Sequence, residues 1–217
     1  MNRLPGGCQG ARVNAFAGRA RGQQTRPRKM GNRAKKRIAG VLIVMVTILG
    51  DPEASRAEVA ELLAKLNLST YPRVTKPPEF DGYTADGRRI SLVSLRSKVV
   101  LLNFWATWCQ ECRPEMPMFE QLHRQFTAQG LSVMGINARE GTATIRGYAK
   151  ELRLTFSLVL DPKGEINAAY GVIGLPATFL IGRDRRAVAR AVGPREWGSE
   201  HAVAIIRALL AEPGATK

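Results

Sequence analysis

The feature that most constrains the fold of this chain is an apolar stretch, Val99–Trp105, that ends four residues before the first of two neighbouring cysteines. Only Asn103 interrupts the stretch, so it predicts a strand that is covered on both faces and lies near the centre of a sheet. The cysteines, Cys109 and Cys112, come just before a segment with helical spacing, Pro114–Phe126. A buried strand that leads into a helix in this way indicates an α/β protein.

The rest of the chain alternates between segments typical of helices and of strands. An Asp86-Gly87 turn precedes the apolar stretch and indicates a hairpin. Further helices are predicted over Glu58–Leu68, Thr142–Leu152, Ile166–Tyr170 and Ser199–Leu210, and strands over Leu131–Asn137, Thr155–Leu160, Thr178–Ile181 and Ala187–Val192. The β-α-β-α-β order predicts a central sheet flanked by helices.

The net charge of +15 is concentrated at the N-terminus. Residues 1–37 hold 11 basic residues and no acidic one, whereas the rest of the chain has 22 basic and 18 acidic residues. A nucleic-acid-binding protein would carry a basic face on its folded part, so this distribution argues against nucleic acid as a partner.

A short apolar run, Ile38–Leu49, directly follows the basic cluster. As a helix it would be about 18 Å long, shorter than a hydrocarbon core of about 30 Å, which favours an export signal. A cut after Ala57 and an uncleaved membrane anchor are the two alternatives, and both predict a periplasmic or other extracytoplasmic location. We expect a leader over 1–57, a short helix and linker over 58–75, and one domain over 76–213.

The cysteine pair predicts redox chemistry. Two cysteines at i and i+3 at a helix start lie close enough to form a disulfide, and the unpaired N–H groups there stabilise a thiolate. Cys109 is expected to attack because it lies nearer the unpaired end, and Cys112 to resolve the mixed disulfide. A structural disulfide over so short a loop would constrain the unfolded chain little. A zinc site would need two more ligands, for which only His123 and His201 are available, and Cys8 precedes the apolar run.

The run Val-Val-Leu-Leu-Asn-Phe-Trp-Ala-Thr-Trp-Cys-Gln-Glu-Cys-Arg-Pro-Glu-Met-Pro, Val99–Pro117, resembles the active-site segment of the TlpA/ResA-like branch of the thioredoxin superfamily. The likeness continues through Leu158–Asp161 and Tyr170–Ile181. It implies a thioredoxin-like fold, with a central mixed β-sheet flanked by helices and an N-terminal β-hairpin extension. It also implies a membrane-tethered or periplasmic reductase. We expect a monomer without a cofactor or metal, which acts on disulfides of exported client proteins and is re-reduced by a membrane thiol electron donor. Some relatives reduce the haem-attachment cysteines of apocytochromes c.

The resemblance also assigns roles to single residues. Pro176 matches the cis-proline of the family, which exposes the backbone of the preceding residue, here Leu175, to an extended substrate. Apart from the resemblance, Trp108 and Trp105 are candidates for a hydrophobic docking surface for the substrate, although Trp105 suits the core at least as well. Glu115 matches an acid that assists proton transfer, and it takes over this duty because Asn103 stands where ordinary thioredoxins keep a buried aspartate.

The chain departs from many relatives between the cysteines, where Glu111 replaces a proline. A carboxylate there disfavours the Cys109 thiolate and stabilises the disulfide, which lowers the reduction potential and favours a reductant. Glu111, Gln110 and Asn103 are therefore assigned to redox tuning. The alternatives are a peroxide-reducing enzyme of the same fold, whose usual Pro-x-x-x-Thr-x-x-Cys pattern is absent, and a non-enzymatic copper-delivery module.

Overall fold

The computed structural model describes residues 52–212 and residue 214. The elements in this part of the chain are α1 Pro52–Lys65, β1 Ser69–Thr70, β2 Asp81–Tyr83, β3 Arg89–Ser91, β4 Val99–Trp105, α2 Glu115–Phe126, β5 Leu131–Ala138, α3 Thr142–Leu152, β6 Ser157–Asp161, α4 Glu165–Ala169, β7 Ala177–Ile181, β8 Ala187–Val192 and α5 Glu200–Ala211. The predicted leader falls largely outside the described residues. Between residues 52 and 212, no helix combines the length and the apolar character that crossing a bilayer requires.

The main sheet has six strands in the order β1-β8-β7-β4-β5-β6. Strand β4 pairs in parallel with β5 and antiparallel with β7, so the sheet is mixed. Every residue of β4 is buried, which confirms the prediction of a central strand from its apolar run. Strands β2 and β3 form a separate antiparallel hairpin on the N-terminal side of β4. The predicted α/β, thioredoxin-like fold is thus confirmed.

Side chains of β4 alternate between the two apolar layers of the core. Leu101 and Trp105 join the layer that also holds the cysteines and the buried faces of α1, α2 and α5. Leu102 and Phe104 join the opposite layer. By the same alternation Asn103 belongs to the cysteine side of the sheet.

The short helix expected at the start of the segment 58–75 is present, and its apolar side chains belong to the core, whereas Val74 in the expected linker is exposed. Helix α1 begins earlier, at Pro52, and crosses the predicted boundary at Ala57. Val59 and Leu63 are buried in the same apolar layer as α5. Strand β1, which was not predicted, pairs with β8. Both residues of β1 are exposed, so the sequence carries no apolar alternation that could reveal it.

Two other elements begin later than the sequence predicts. Strand β6 begins at Ser157 rather than Thr155, because the carboxylate of Glu120 on α2 accepts both the backbone N–H and the hydroxyl of Thr155. The predicted helix Pro114–Phe126 begins one residue later, at Glu115. Helix α3 and strand β8 have the bounds that were predicted.

Candidate active site

The cysteines lie in a series of tight turns between β4 and α2. The backbone N–H of Cys109 donates to Ala106, that of Cys112 to Cys109, and that of Glu115 to Cys112, at 3.1–3.2 Å. Each bond spans three residues, and the regular helix starts only at Glu115. Pro114 has no N–H to donate to the preceding turn, which explains why Cys112 lies before α2 rather than one turn inside it. The cysteine pair was expected in the first turn of the helix, but it lies in the turns that precede α2.

The two cysteines form a disulfide with Cα atoms 5.3 Å apart. Cys109 is 7% exposed and Cys112 is fully buried, so Cys109 is the more accessible of the two. The sulfur of Cys109 also accepts the backbone N–H of Cys112 at 3.2 Å, a bond that would stabilise a thiolate on Cys109. Both observations agree with the predicted order of attack.

An apolar groove of about 710 Å³ opens beside Cys109. Trp108 and Ile173 both line it and are 68% and 98% exposed, so neither is part of the core. Leu175 also lines the groove, and the peptide bond between Leu175 and Pro176 is cis, as predicted. Ile173 was not predicted, because a single exposed apolar residue in a loop produces no periodic signal.

Glu115, the first residue of α2, is buried, with only 1% of its surface exposed. Its Oε1 accepts the backbone N–H of Arg195 at 2.8 Å and the indole N–H of Trp197 at 2.7 Å. Its Oε2 is buried and has no hydrogen-bond partner among the described residues. Burial raises the pKa of Glu115 to about 7, although these two hydrogen bonds oppose the shift. A carboxyl with such a pKa can both accept and release a proton near neutral pH.

A second cavity, of about 630 Å³, borders Glu115. Gln110 and Glu111 line it, are exposed, and do not line the groove beside Cys109. The carboxylate of Glu111 contributes slightly to the raised pKa of Glu115. The predicted acid and one predicted tuning residue are therefore brought together here.

The sequence of the chain matches a known family over this part of the fold. The profile of the AhpC/TSA family matches residues 74–189, which is more than half of the chain. Thiol-disulfide oxidoreductase ResA of Bacillus subtilis is 32% identical over 149 residues, which cover 69% of this chain and 79% of ResA. The chain belongs to the AhpC/TSA family, among its ResA-like thiol-disulfide oxidoreductases.

Other relatives of this ResA-like protein match over a shorter length. ResA of Bacillus thuringiensis subsp. konkukian is 35% identical over 51% of this chain and 64% of its own length. The thioredoxin-like protein YneN of Bacillus subtilis is 41% identical over 48% of this chain and 62% of its own length. These alignments thus span less than two thirds of each relative. The crystal structure of a putative thiol:disulfide interchange protein DsbE from Chlorobium tepidum superposes with a TM-score of 0.60 at 30% identity, over 65% of this chain and all of that one.

Asn103 of the ResA-like chain is buried behind the cysteine turns. Its Nδ2 donates to the hydroxyl of Thr178 at 3.1 Å, and its Oδ1 has no partner within the described part. The amide cannot ionise at neutral pH, so Glu115 is the buried acid next to the pair in sequence. No cluster of three or more possible metal ligands occurs among the described side chains, and His123 and His201 join none.

A clamp centred on Glu140 was missed by sequence reasoning. The backbone N–H of Thr107 donates to Glu140 Oε2 at 2.7 Å, and the hydroxyl of Thr107 donates to Oε1. Asn137 Nδ2 also donates to Glu140 Oε2 at 2.7 Å. The clamp therefore ties the loop that carries Trp108 and Cys109 to the end of β5. The strand order could have indicated this contact, because parallel pairing places the ends of β4 and β5 side by side.

Proposed function

We propose that this ResA-like protein is an extracytoplasmic enzyme that reduces disulfides of exported proteins with the dithiol of Cys109 and Cys112. The observation that carries the proposal is that the more accessible cysteine lines a groove with exposed apolar side chains, while a buried carboxyl, Glu115, follows Cys112 by three residues. The extracytoplasmic location rests on the basic and apolar leader pattern. Apocytochrome c is one candidate client.

The proposed reaction begins with the reduced protein. The Cys109 thiolate attacks one sulfur of the client disulfide, so that a bond forms between Cys109 and the client while the disulfide of the client breaks. The sulfur that leaves is released as a thiolate and takes up a proton. Cys109 is then joined to one client sulfur in a mixed disulfide, the other client sulfur is a thiol, and Cys112 is still a free thiol.

The second step releases the client. Cys112 passes its thiol proton to Glu115 and attacks the sulfur of Cys109, which forms the Cys109–Cys112 disulfide and breaks the bond to the client. The second client sulfur leaves as a thiolate and is protonated. Two electrons have then moved from the enzyme to the client, and a membrane thiol electron donor restores the dithiol.

The groove suits an extended client segment with an apolar residue near its cysteine. Trp108 and Ile173 together offer an apolar surface that water covers in the free protein, and burying such side chains favours association. Leu175 lines the same groove and precedes the cis-proline, Pro176, and the resemblance implies that its backbone pairs with the substrate strand. These roles remain predictions.

A trapping experiment tests the proposal. A Cys112→Ser variant cannot complete the second step, so it should accumulate mixed disulfides between Cys109 and client proteins, which mass spectrometry of an extracytoplasmic extract would identify. The matched control is the variant with both cysteines replaced by serine. Equal recovery from the two variants would refute the order of attack.

Turnover assays separate the proposed activity from its rivals. The wild-type protein should reduce insulin disulfides with dithiothreitol as electron donor, and Cys109→Ser should not. A peroxide-reducing enzyme that uses Cys109 alone would instead consume hydrogen peroxide and keep this activity in Cys112→Ser. A copper-delivery module would bind Cu(I) stoichiometrically and show no insulin reduction.

A further inference from the structure

The loop between β8 and α5 holds the carboxyl of Glu115 by one of its two oxygens. Both donors, the backbone N–H of Arg195 and the indole N–H of Trp197, converge on Oε1. Trp197 is itself 1% exposed and packs on Phe119 with ring centroids 5.5 Å apart. The indole is therefore fixed in place, and it lies 82 residues from Glu115 in the sequence.

This arrangement makes the two oxygens of Glu115 unequal. Backbone and indole N–H groups donate hydrogen bonds and accept none, so a proton on Oε1 would lose one of these bonds. A proton on Oε2 costs neither bond, because Oε2 has no partner among the residues that the structure describes. The exchangeable proton of Glu115 thus belongs on Oε2 in the protonated form.

We propose that Trp197 is a positioning residue of the disulfide-reducing reaction, whose indole N–H, with the backbone N–H of Arg195, fixes Glu115 so that Oε2 carries the transferred proton. This inference rests on the proposed function for the role of Glu115 in the reaction. The geometry of the three groups does not depend on it. Trp197 affects the reaction through its hydrogen bond to Glu115.

Other charges face Glu115 from three directions and must be held constant in a test. Lys65 at the end of α1, Glu111 between the cysteines, and Arg195 and Glu196 in the loop after β8 all line the cavity beside it. The guanidinium of Arg195 donates to the backbone carbonyls of Asn67 and Pro194. A Trp197→Phe substitution alters none of these charges, because it removes one neutral donor and keeps an aromatic ring.

The test is a direct titration of Glu115 in the oxidised protein. The 13C resonance of its carboxyl carbon, assigned by its loss in Glu115→Gln, should titrate in Trp197→Phe with a pKa about one unit higher than in the wild type, because the ionised form loses a hydrogen bond. Trp105→Phe is the matched control. Trp105 is equally buried, but its indole N–H has no partner among the described residues, so its removal should leave the pKa of Glu115 unchanged. An unchanged pKa in Trp197→Phe would overturn the inference.

A second measurement uses only the wild-type protein, so it remains valid if Trp197→Phe fails to fold. In the wild-type protein the indole 1H and 15N resonances of Trp197 should shift with pH and report the same pKa as the carboxyl of Glu115. An indole signal that stays constant through that range would also overturn the inference. Failure of the wild type to reduce insulin would refute the proposed function instead, since neither titration requires turnover.

Discussion

Replacing Glu115 by glutamine should change how the stability of the oxidised protein depends on pH. Burial raises the pKa of Glu115 to about 7 from an ordinary value of 4.5. The folded protein therefore binds this proton more tightly than the unfolded chain does. Its contribution to stability is complete below about pH 4.5, falls as the pH rises, and is fully lost above about pH 7.

The size of the effect follows from the difference between the two pKa values. One unit corresponds to about 1.4 kcal/mol, so the wild type should lose about 3 kcal/mol of unfolding free energy between pH 4.5 and pH 8 through this group alone. Glutamine keeps an oxygen for the two donors and does not ionise, so Glu115→Gln should lack the decline. His123 acts in the opposite direction, because burial lowers its pKa, but it is present in both proteins and cancels in the comparison.

Urea denaturation at intervals from pH 5 to pH 8.5 measures this difference, with the disulfide kept intact so that the cysteines do not titrate. Glu120→Gln is the control on the same helix. Glu120 is also buried, but hydrogen bonds from Thr155 and Arg124 hold its pKa below the ordinary range, so its removal should leave the decline in place. Parallel pH profiles for the wild type and Glu115→Gln would refute the reasoning.

Three further substitutions test other parts of the site. Ile173→Asp should raise KM for a protein disulfide about tenfold, because it removes an apolar contact with the client. Its stability in urea denaturation should not change. The matched control is Val74→Asp, an exposed position outside the groove, which should leave KM unchanged. Glu140→Gln should cost about 1 kcal/mol in the same denaturation assay, because a neutral amide oxygen accepts the N–H groups of Thr107 and Asn137 more weakly than a carboxylate does, although its amide can donate to the Thr107 hydroxyl. Glu140→Ala leaves the same N–H groups without this acceptor and should cost about 2 kcal/mol. Glu111→Gln should raise the reduction potential, measured against glutathione, by less than about 30 mV, because the carboxylate is exposed and screened.

The sequence predicts those parts of the fold that burial makes periodic or continuous. Val99–Trp105 is apolar because both faces of β4 are covered, and α3 shows its amphipathic spacing over its whole length. The short strand β1 leaves no such pattern, since both of its side chains are exposed and its backbone pairs with β8. Pro114 moves the start of α2 past the cysteines, which a spacing argument cannot detect.

The same distinction applies to the site. Motif recognition located the cysteines, Glu115 and the cis-proline because all of them fall in two short segments. The groups that position them come from distant parts of the chain, namely Glu140 for the cysteine loop and Trp197 for the acid. Sequence spacing does not predict contacts between residues so far apart in the chain. They form when the folded sheet brings distant segments together, as the pairing of β4 with β5 does for Glu140.

Residues of the cysteine turns line both the groove that we propose for the client and the cavity beside Glu115. Cys109 lines the groove with Ile173, whereas Glu115 lines the other cavity, and the two sets of lining residues do not overlap. Binding of a client and transfer of a proton should therefore be independent. The double variant Ile173→Asp/Trp197→Phe should combine the higher KM of one variant with the shifted pH profile of the other, with free-energy effects that add within about 0.5 kcal/mol. A larger deviation, measured by insulin reduction across pH 5 to 8.5, would mean that client binding and the protonation of Glu115 are coupled through the cysteine turns.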